Sequence, residues 1–305
     1  MGRWRTLAIT TGMALAAGLI MVPGATAEAG GRTTTDQAIQ SVTPFCNFER
    51  IFWAVAGNWD GIGGDGIGVV VDRGGVLTWY LRNAPNAGPA DYIFSFGLSG
   101  DRPVVGNWDG IGGDGPGIVR SSITDEWQWH LRNGNNAGHA DYILDYGRRN
   151  YYPVTGNWDG VGGDGVGVAG GNASGYKAWH LRNSPSPGRP DHDFTYGRTG
   201  TDGPSTDFPI AGNWDGVGGD GPGIVRDVST QLQWHERNSL NAGPGDHIFN
   251  YGVTRTDCVV VGNWDGVGGD GPGIVRGNPN GNGELQWHLR NGNNPGPAEA
   301  IFDYS

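Results

Sequence analysis

The sequence predicts an all-β protein, a five-bladed β-propeller of four-stranded antiparallel blades. The run Gly-Asn-Trp-Asp-Gly recurs at Gly57–Gly61, Gly106–Gly110, Gly156–Gly160, Gly212–Gly216 and Gly262–Gly266, so that Trp59, Trp108, Trp158, Trp214 and Trp264 are 49, 50, 56 and 50 residues apart. A period of this size marks one supersecondary unit per repeat, which cannot bury its apolar face alone. Each unit holds four short runs rich in β-branched and aromatic residues, bounded by Gly, Pro and Asn, which read as strands. The fifth repeat keeps the full pattern to Tyr304, whereas an open solenoid would need atypical polar end repeats.

The four parts of a unit follow in fixed order. A short apolar run such as Pro103-Val104-Val105 leads into the Trp motif and a glycine-rich turn, Gly110 to Gly115. A second apolar run follows, Gly117-Ile118-Val119. The third is Trp127-Gln128-Trp129-His130-Leu131-Arg132, whose alternation places Trp127, Trp129 and Leu131 on one face. The fourth is Asp141 to Gly147. Arg82 and Asp91, Arg132 and Asp141, Arg182 and Asp191, Arg237 and Asp246, and Arg290 and Glu299 each lie nine residues apart across the loop joining the last two runs. This spacing predicts a cross-strand ion pair at the base of a hairpin.

Before the repeats, Arg3 and Arg5, the apolar stretch Leu7 to Val22 and Ala25-Thr26-Ala27 read as a secretory signal peptide over residues 1–27. Residues 28–44 read as a flexible leader, and the repeats occupy 45–305. The expectation is a secreted, extracellular protein without a membrane insertion. The formal charge of −11, with Lys177 the only lysine, argues against nucleic acid as partner, because phosphate neutralisation needs clustered Lys or Arg. In an oxidising compartment Cys46 and Cys258 read as one disulfide, fastening the first repeat to the fifth.

Phe96-Gly97, Tyr146-Gly147, Tyr196-Gly197 and Tyr251-Gly252 precede the Asn-Trp-Asp-Gly loops by ten to sixteen residues. In this the chain resembles the FG-GAP repeat of integrin-type β-propellers and related secreted bacterial proteins. The resemblance covers Phe45 to Ser305 and implies adhesion, ligand binding or attachment to an enzyme. It also implies a calcium loop of the form Asp-x-Asp-x-Asp-Gly. Carried onto this chain, the first position is Asn58, Asn107, Asn157, Asn213 and Asn263, and the third is Asp60, Asp109, Asp159, Asp215 and Asp265. The fifth, an acid in the family, is Ile62, Ile111, Val161, Val217 and Val267. A further acid follows at Asp65, Asp114, Asp164, Asp220 and Asp270. Calcium takes six to eight oxygens, so any calcium held here would be weakly bound; the alternative is a tight glycine turn closed by Asn and Asp side chains.

Trp79, Trp129, Trp179, Trp234 and Trp287 read as inter-blade core. The loop tryptophans Trp59, Trp108, Trp158, Trp214 and Trp264 are expected to be partly exposed and to stack against sugars. His130, His180, His235 and His288 share a repeat position on different blades, where the first repeat has Tyr80, and read as packing residues. The chain carries no Gly-x-Ser-x-Gly, His-Glu-x-x-His or phosphate-loop motif. Asp193 replaces an isoleucine and Glu236 a leucine of the other repeats, and two acids are what glycoside hydrolysis uses. The reading is a non-enzymatic, multivalent, lectin-like protein that binds glycans. Its alternatives are a protein-binding adhesion or inhibitor module and a glycan-cleaving enzyme.

Overall fold

Each repeat folds as an antiparallel meander whose first strand lies nearest the axis. The computed structural model describes residues 52–199, 207–277 and 284–304, and these hold twenty strands and no helix. Blade 1 is β1 (Phe52–Gly57), β2 (Gly66–Arg73), β3 (Val76–Arg82) and β4 (Tyr92–Leu98). Blade 2 is β5 (Arg102–Gly106), β6 (Gly115–Ser121), β7 (Glu126–Leu131) and β8 (Tyr142–Arg148). Blade 3 is β9 (Tyr152–Gly156), β10 (Gly165–Gly171), β11 (Tyr176–Leu181) and β12 (His192–Arg198). Blade 4 is β13 (Phe208–Gly212), β14 (Gly221–Val228), β15 (Gln231–Glu236) and β16 (His247–Val253). Blade 5 is β17 (Cys258–Gly262), β18 (Gly271–Gly277), β19 (Leu285–Leu289) and β20 (Ala300–Asp303). Sheet order follows chain order in all five, and the five inner strands meet around the axis as a five-bladed propeller. The signal peptide, the leader and Cys46 lie outside the described residues.

The core is a stack of tryptophans between blades. In β7, Trp127, Trp129 and Leu131 are buried, while Gln128 and His130 on the other face are half-buried. Trp79, Trp129, Trp179, Trp234 and Trp287 are fully buried, each opposite an apolar residue of the outermost strand; Trp79 stacks on Phe94 at 6.0 Å between centroids. A buried indole N–H needs an acceptor, and a bulge supplies it. The β3–β4 register shifts between Val76 and Thr78, which frees the carbonyl of Phe96 to accept from Trp79 Nε1 (2.8 Å). The same bond runs from Trp129 to Tyr146 (2.9 Å) and from Trp179 to Tyr196 (2.8 Å). Gly97 sits in this bulge at φ 101°, a conformation that glycine adopts at no steric cost. A Cβ there would stand 2.9 Å from Ile118 of the next blade. The aromatic-glycine pair is therefore where one blade rests on its neighbour.

The loop tryptophans are not partly exposed. Trp59, Trp108 and Trp158 are 3% exposed, Trp214 4% and Trp264 7%. Each indole folds back over its own blade; Trp108 lies over Gly106 and Gly117, which have no side chain to displace it. Its edge belongs to the same apolar cluster as Trp129 and Val166 of the next blade.

The nine-residue charge pairs meet expectation in blades 3 and 5 and differ from it in blades 1, 2 and 4. Arg182–Asp191 (3.7 Å) and Arg290–Glu299 (3.4 Å) approach as ion pairs. In blade 1, Arg82 instead donates to the carbonyls of Asn86 (3.0 Å) and Pro89 (2.7 Å), and Asp91 accepts the N–H of Asn83 (2.8 Å). Blades 2 and 4 repeat this pattern. In blades 1, 2 and 4 the two side chains close one loop from its two ends rather than closing on each other.

Because the loop indoles are core, Trp108→Ala is expected to lower unfolding free energy by ~3–5 kcal/mol. Chemical denaturation of wild type and variant measures this; an unchanged midpoint would return Trp108 to the surface.

Candidate binding site

Neighbouring blades are joined by a reciprocal pair of hydrogen bonds between their glycine turns. The Asn58 N–H donates to Asp114 Oδ2 (2.7 Å), and the Asp114 N–H donates to the Asn58 carbonyl (2.7 Å). The carboxylate bond repeats from Asn107 to Asp164 (2.8 Å), Asn157 to Asp220 (2.7 Å) and Asn213 to Asp270 (2.7 Å). It closes from Asn263 to Asp65 (2.8 Å). The backbone bond returns at all five junctions. The turns nest so closely that a Cβ on Gly64 would lie 2.5 Å from the Asn263 carbonyl.

These turns do not fit a calcium loop. Asn58 spends its side chain within the turn, Oδ1 accepting from Ile62 N–H (3.0 Å) and Nδ2 donating to the Gly63 carbonyl (3.1 Å). Asp60 is exposed at the tip, its Oδ1 also taking the Ile62 N–H (3.0 Å). Asp65 faces the axis and is bonded to the neighbouring blade. Asp109, Asp159, Asp215 and Asp265 hold their turns as Asp60 does. Among the described residues no three His, Cys, Asp or Glu side chains are grouped to hold a metal ion.

The five inward aspartates instead line an axial cavity of about 300 Å³, whose remaining wall is mainly the apolar inner strands. Loss of water pushes Asp65 up to about 7, with the Asp270 charge adding to the rise. Asp164 and Asp270 are pushed up to about 6 by the same loss of water, and Asp114 and Asp220 are raised well above the usual carboxylate range.

A second cavity, of about 370 Å³, runs between blades 1 and 2. Phe96, Leu98 and Ile118 give it apolar walls, and Arg120, His130 and His139 give it polar ones. Arg120 is fixed bidentately on the buried Asp101, Nε to Oδ1 at 3.0 Å and Nη2 to Oδ2 at 2.6 Å. Asp101 Oδ2 also accepts the N–H of Leu98 (2.8 Å), tying the outer strand of blade 1 to the entry of blade 2. His130 Nε2 is held by Gln128 Oε1 (2.9 Å). Burial, and then the Arg120 charge, lower the His130 pKa, so the ring is neutral at pH 7. Blades 4 and 5 carry the same group: Asp207–Arg226 (2.6 Å) with His235, and Asp257–Arg276 (2.8 Å) with His288.

No protein-family model matches this chain. No curated protein matches it either.

Sequence reasoning missed these groups. The available signal is a spacing of nineteen residues, Asp101 to Arg120, Asp207 to Arg226 and Asp257 to Arg276, which the first and third repeats lack. The two candidate catalytic acids are not brought together. Asp193 on β12 is largely exposed and pairs with His180 across the sheet at 3.4 Å. Glu236 on β15 is fully buried, and neither carboxyl oxygen has a hydrogen-bond partner. Burial, with the Asp270 charge adding to it, pushes Glu236 up to about 9. An acid with no exposed surface cannot reach a glycosidic bond beside one that faces solvent.

The axial acids fix the sign of a pH effect. A carboxyl whose pKa is higher folded than unfolded contributes its stability below the unfolded value near 3.8 and loses it as pH rises through about 6 and 7. The melting temperature is expected to fall across that window, and Asp65→Asn is expected to flatten the fall. Scanning calorimetry from pH 4 to 8 checks this, and a profile rising with pH would refute it. Glu236→Leu restores the residue of the other blades and is expected to gain ~1–3 kcal/mol by removing an unsatisfied buried group. A loss of stability by denaturant titration would mean that the buried carboxyl has a partner.

Proposed function

We propose that the chain is an exported, non-enzymatic, multivalent carbohydrate-binding protein built on an FG-GAP-like propeller. The observation that carries this reading is the groove between blades 1 and 2. Leu98, exposed on the wall that it shares with Phe96, offers a surface for sugar C–H faces, while Arg120 offers a donor and His130 Nδ1, with Nε2–H held by Gln128, an acceptor for hydroxyls. The Arg120 charge is already balanced by Asp101, and the chain carries a formal charge of −11, which favours neutral over anionic glycans. The sugar-contacting role expected of the loop tryptophans passes to this groove, since those rings are buried. Export is supported by Arg3, Arg5, the apolar stretch Leu7 to Val22 and Ala25-Thr26-Ala27. A Cys46–Cys258 disulfide belongs to the same proposal: Cys258 is buried at the start of β17, and β17 is the strand that meets β1.

The alternative, an adhesion module for proteins, draws on one observation. Ile62, Ile111, Val161, Val217 and Val267 are 73–77% exposed at the five turn tips around the axis.

Single grooves bind weakly and multivalency supplies retention. A glycan array probed with the mature protein, in calcium and in chelator, is expected to retain it on dense neutral glycans, with free monosaccharide competing poorly. Retention on immobilised proteins alone would favour the adhesion reading. Thiol titration of the exported protein under denaturant is expected to find no free thiol, and two would remove the disulfide.

A further inference from the structure

The five junctions between blades are not equivalent, and the difference falls on the groups that line the groove. At the junctions of blades 1 and 2, 3 and 4, and 4 and 5, the following blade brings an aspartate before its inner strand, an arginine on its second strand and a histidine on its third. The pairs are Asp101–Arg120 beside His130, Asp207–Arg226 beside His235 and Asp257–Arg276 beside His288. In each, a glutamine two residues earlier holds the histidine at 2.9 Å. The aspartate also accepts the N–H that ends the preceding blade's outer strand, at 2.8 Å from Leu98, 2.6 Å from Arg198 and 2.7 Å from Val253. One buried carboxylate thus ties two blades together and holds an arginine at the junction, and between blades 1 and 2 that arginine lines the groove.

The other two junctions have lost the constellation together. Between blades 2 and 3, Tyr151 stands at the aspartate position and Gly170 at the arginine position. The tyrosine ring occupies the space that a Gly170 side chain would need. It also stacks on His180 at 5.8 Å, covering the imidazole face, while His180 pairs with Asp193 and Ala178 replaces the holding glutamine. Between blades 5 and 1, Val71 stands for the arginine and Tyr80 for the histidine, with the Arg73 guanidinium 5.0 Å from the Tyr80 ring centroid. Both losses substitute several positions in concert, with bulk filling the place of the charged pair.

We infer that the protein is trivalent rather than pentavalent. It presents one site for a neutral, hydroxyl-rich saccharide at each of the junctions 1/2, 3/4 and 4/5, and none at 2/3 and 5/1. Arginine donates to ring hydroxyls, the histidine Nδ1 accepts from them because Nε2–H is held by the glutamine, and the bulged aromatic-glycine segment forms the opposing wall. This inference rests on the carbohydrate-binding reading, and it specifies which junctions act and how many.

The imidazoles report the sites individually. In an NMR titration of the mature protein with cellobiose, maltotriose and N,N′-diacetylchitobiose, the His130, His235 and His288 ring resonances are expected to shift saturably, and those of His180 to stay in place. His130→Ala leaves the Asp101–Arg120 pair intact; it is expected to abolish the saccharide response of the His139 ring, which lines the same groove, while His235 and His288 still titrate. Tyr151→Asp with Gly170→Arg is expected to bring His180 into the responding set, raising the count from three to four. Array retention of the protein with His180 shifting as strongly as the other three, or with His130, His235 and His288 silent, overturns the trivalent assignment and spares the function. Absence of saccharide binding on the array and in the titration overturns both.

Discussion

The fold depends on one repeated contact, the reciprocal exchange between an asparagine and an aspartate of neighbouring turns. A four-stranded blade of this size has short strands and two open edges, and its inner edge gains little from so narrow an axis. The exchange satisfies two backbone amides and one carbonyl at each junction and occupies a carboxylate oxygen. It also dictates composition. The aspartate must lie seven residues after the asparagine, the turn must be thin enough to nest, and the glycines follow from that thinness. The cost is five acids facing a common axis, which raises their proton affinity.

Much of this was legible in the residues. The spacing of the five tryptophans and the strand-like runs of Pro103–Val105, Ile118–Val119 and Trp127–Leu131 correspond to the inner, second and third strands of a blade. The exposure of Trp108 was not legible, because a turn residue is covered by whatever the next blade places over it, and local sequence carries no record of that. The spacing between Arg132 and Asp141 was read as a bond between the two. Spacing reports that two residues serve one loop, and here they serve it separately. The inward aspartates were visible as a recurring acid, but the partner of each is 56 to 63 residues away, or 198 at the closing junction, beyond any local pattern. The Asp101–Arg120 pair is intermediate: its spacing is constant where it occurs, and its absence from two repeats hides it from a search for perfect periodicity.

Departures from symmetry carry the information that symmetry cannot. Scaffold positions such as Trp79, Gly97 and Asp65 are occupied alike in nearly every blade, because each serves a junction the ring cannot do without. The inter-blade grooves are free to differ, since Asp101, Arg120 and His130 lie toward the outside of the junction and the turns hold it without them. Glu236 marks the opposite case, a departure placed inside the core, where it adds an unsatisfied carboxyl and gains no visible contact.

The bond from Asn263 to Asp65 joins the fifth repeat to the first, yet it matches in length and partners the four bonds between consecutive repeats. Each blade is a complete meander of consecutive strands, so no strand is borrowed across the seam. In hydrogen-bonding terms the circle has no beginning. The covalent break could be moved to another junction by circular permutation without changing a single inter-blade partner. The number of blades is then set by the angle at which two turns nest, and the length of the gene needs only to agree with it.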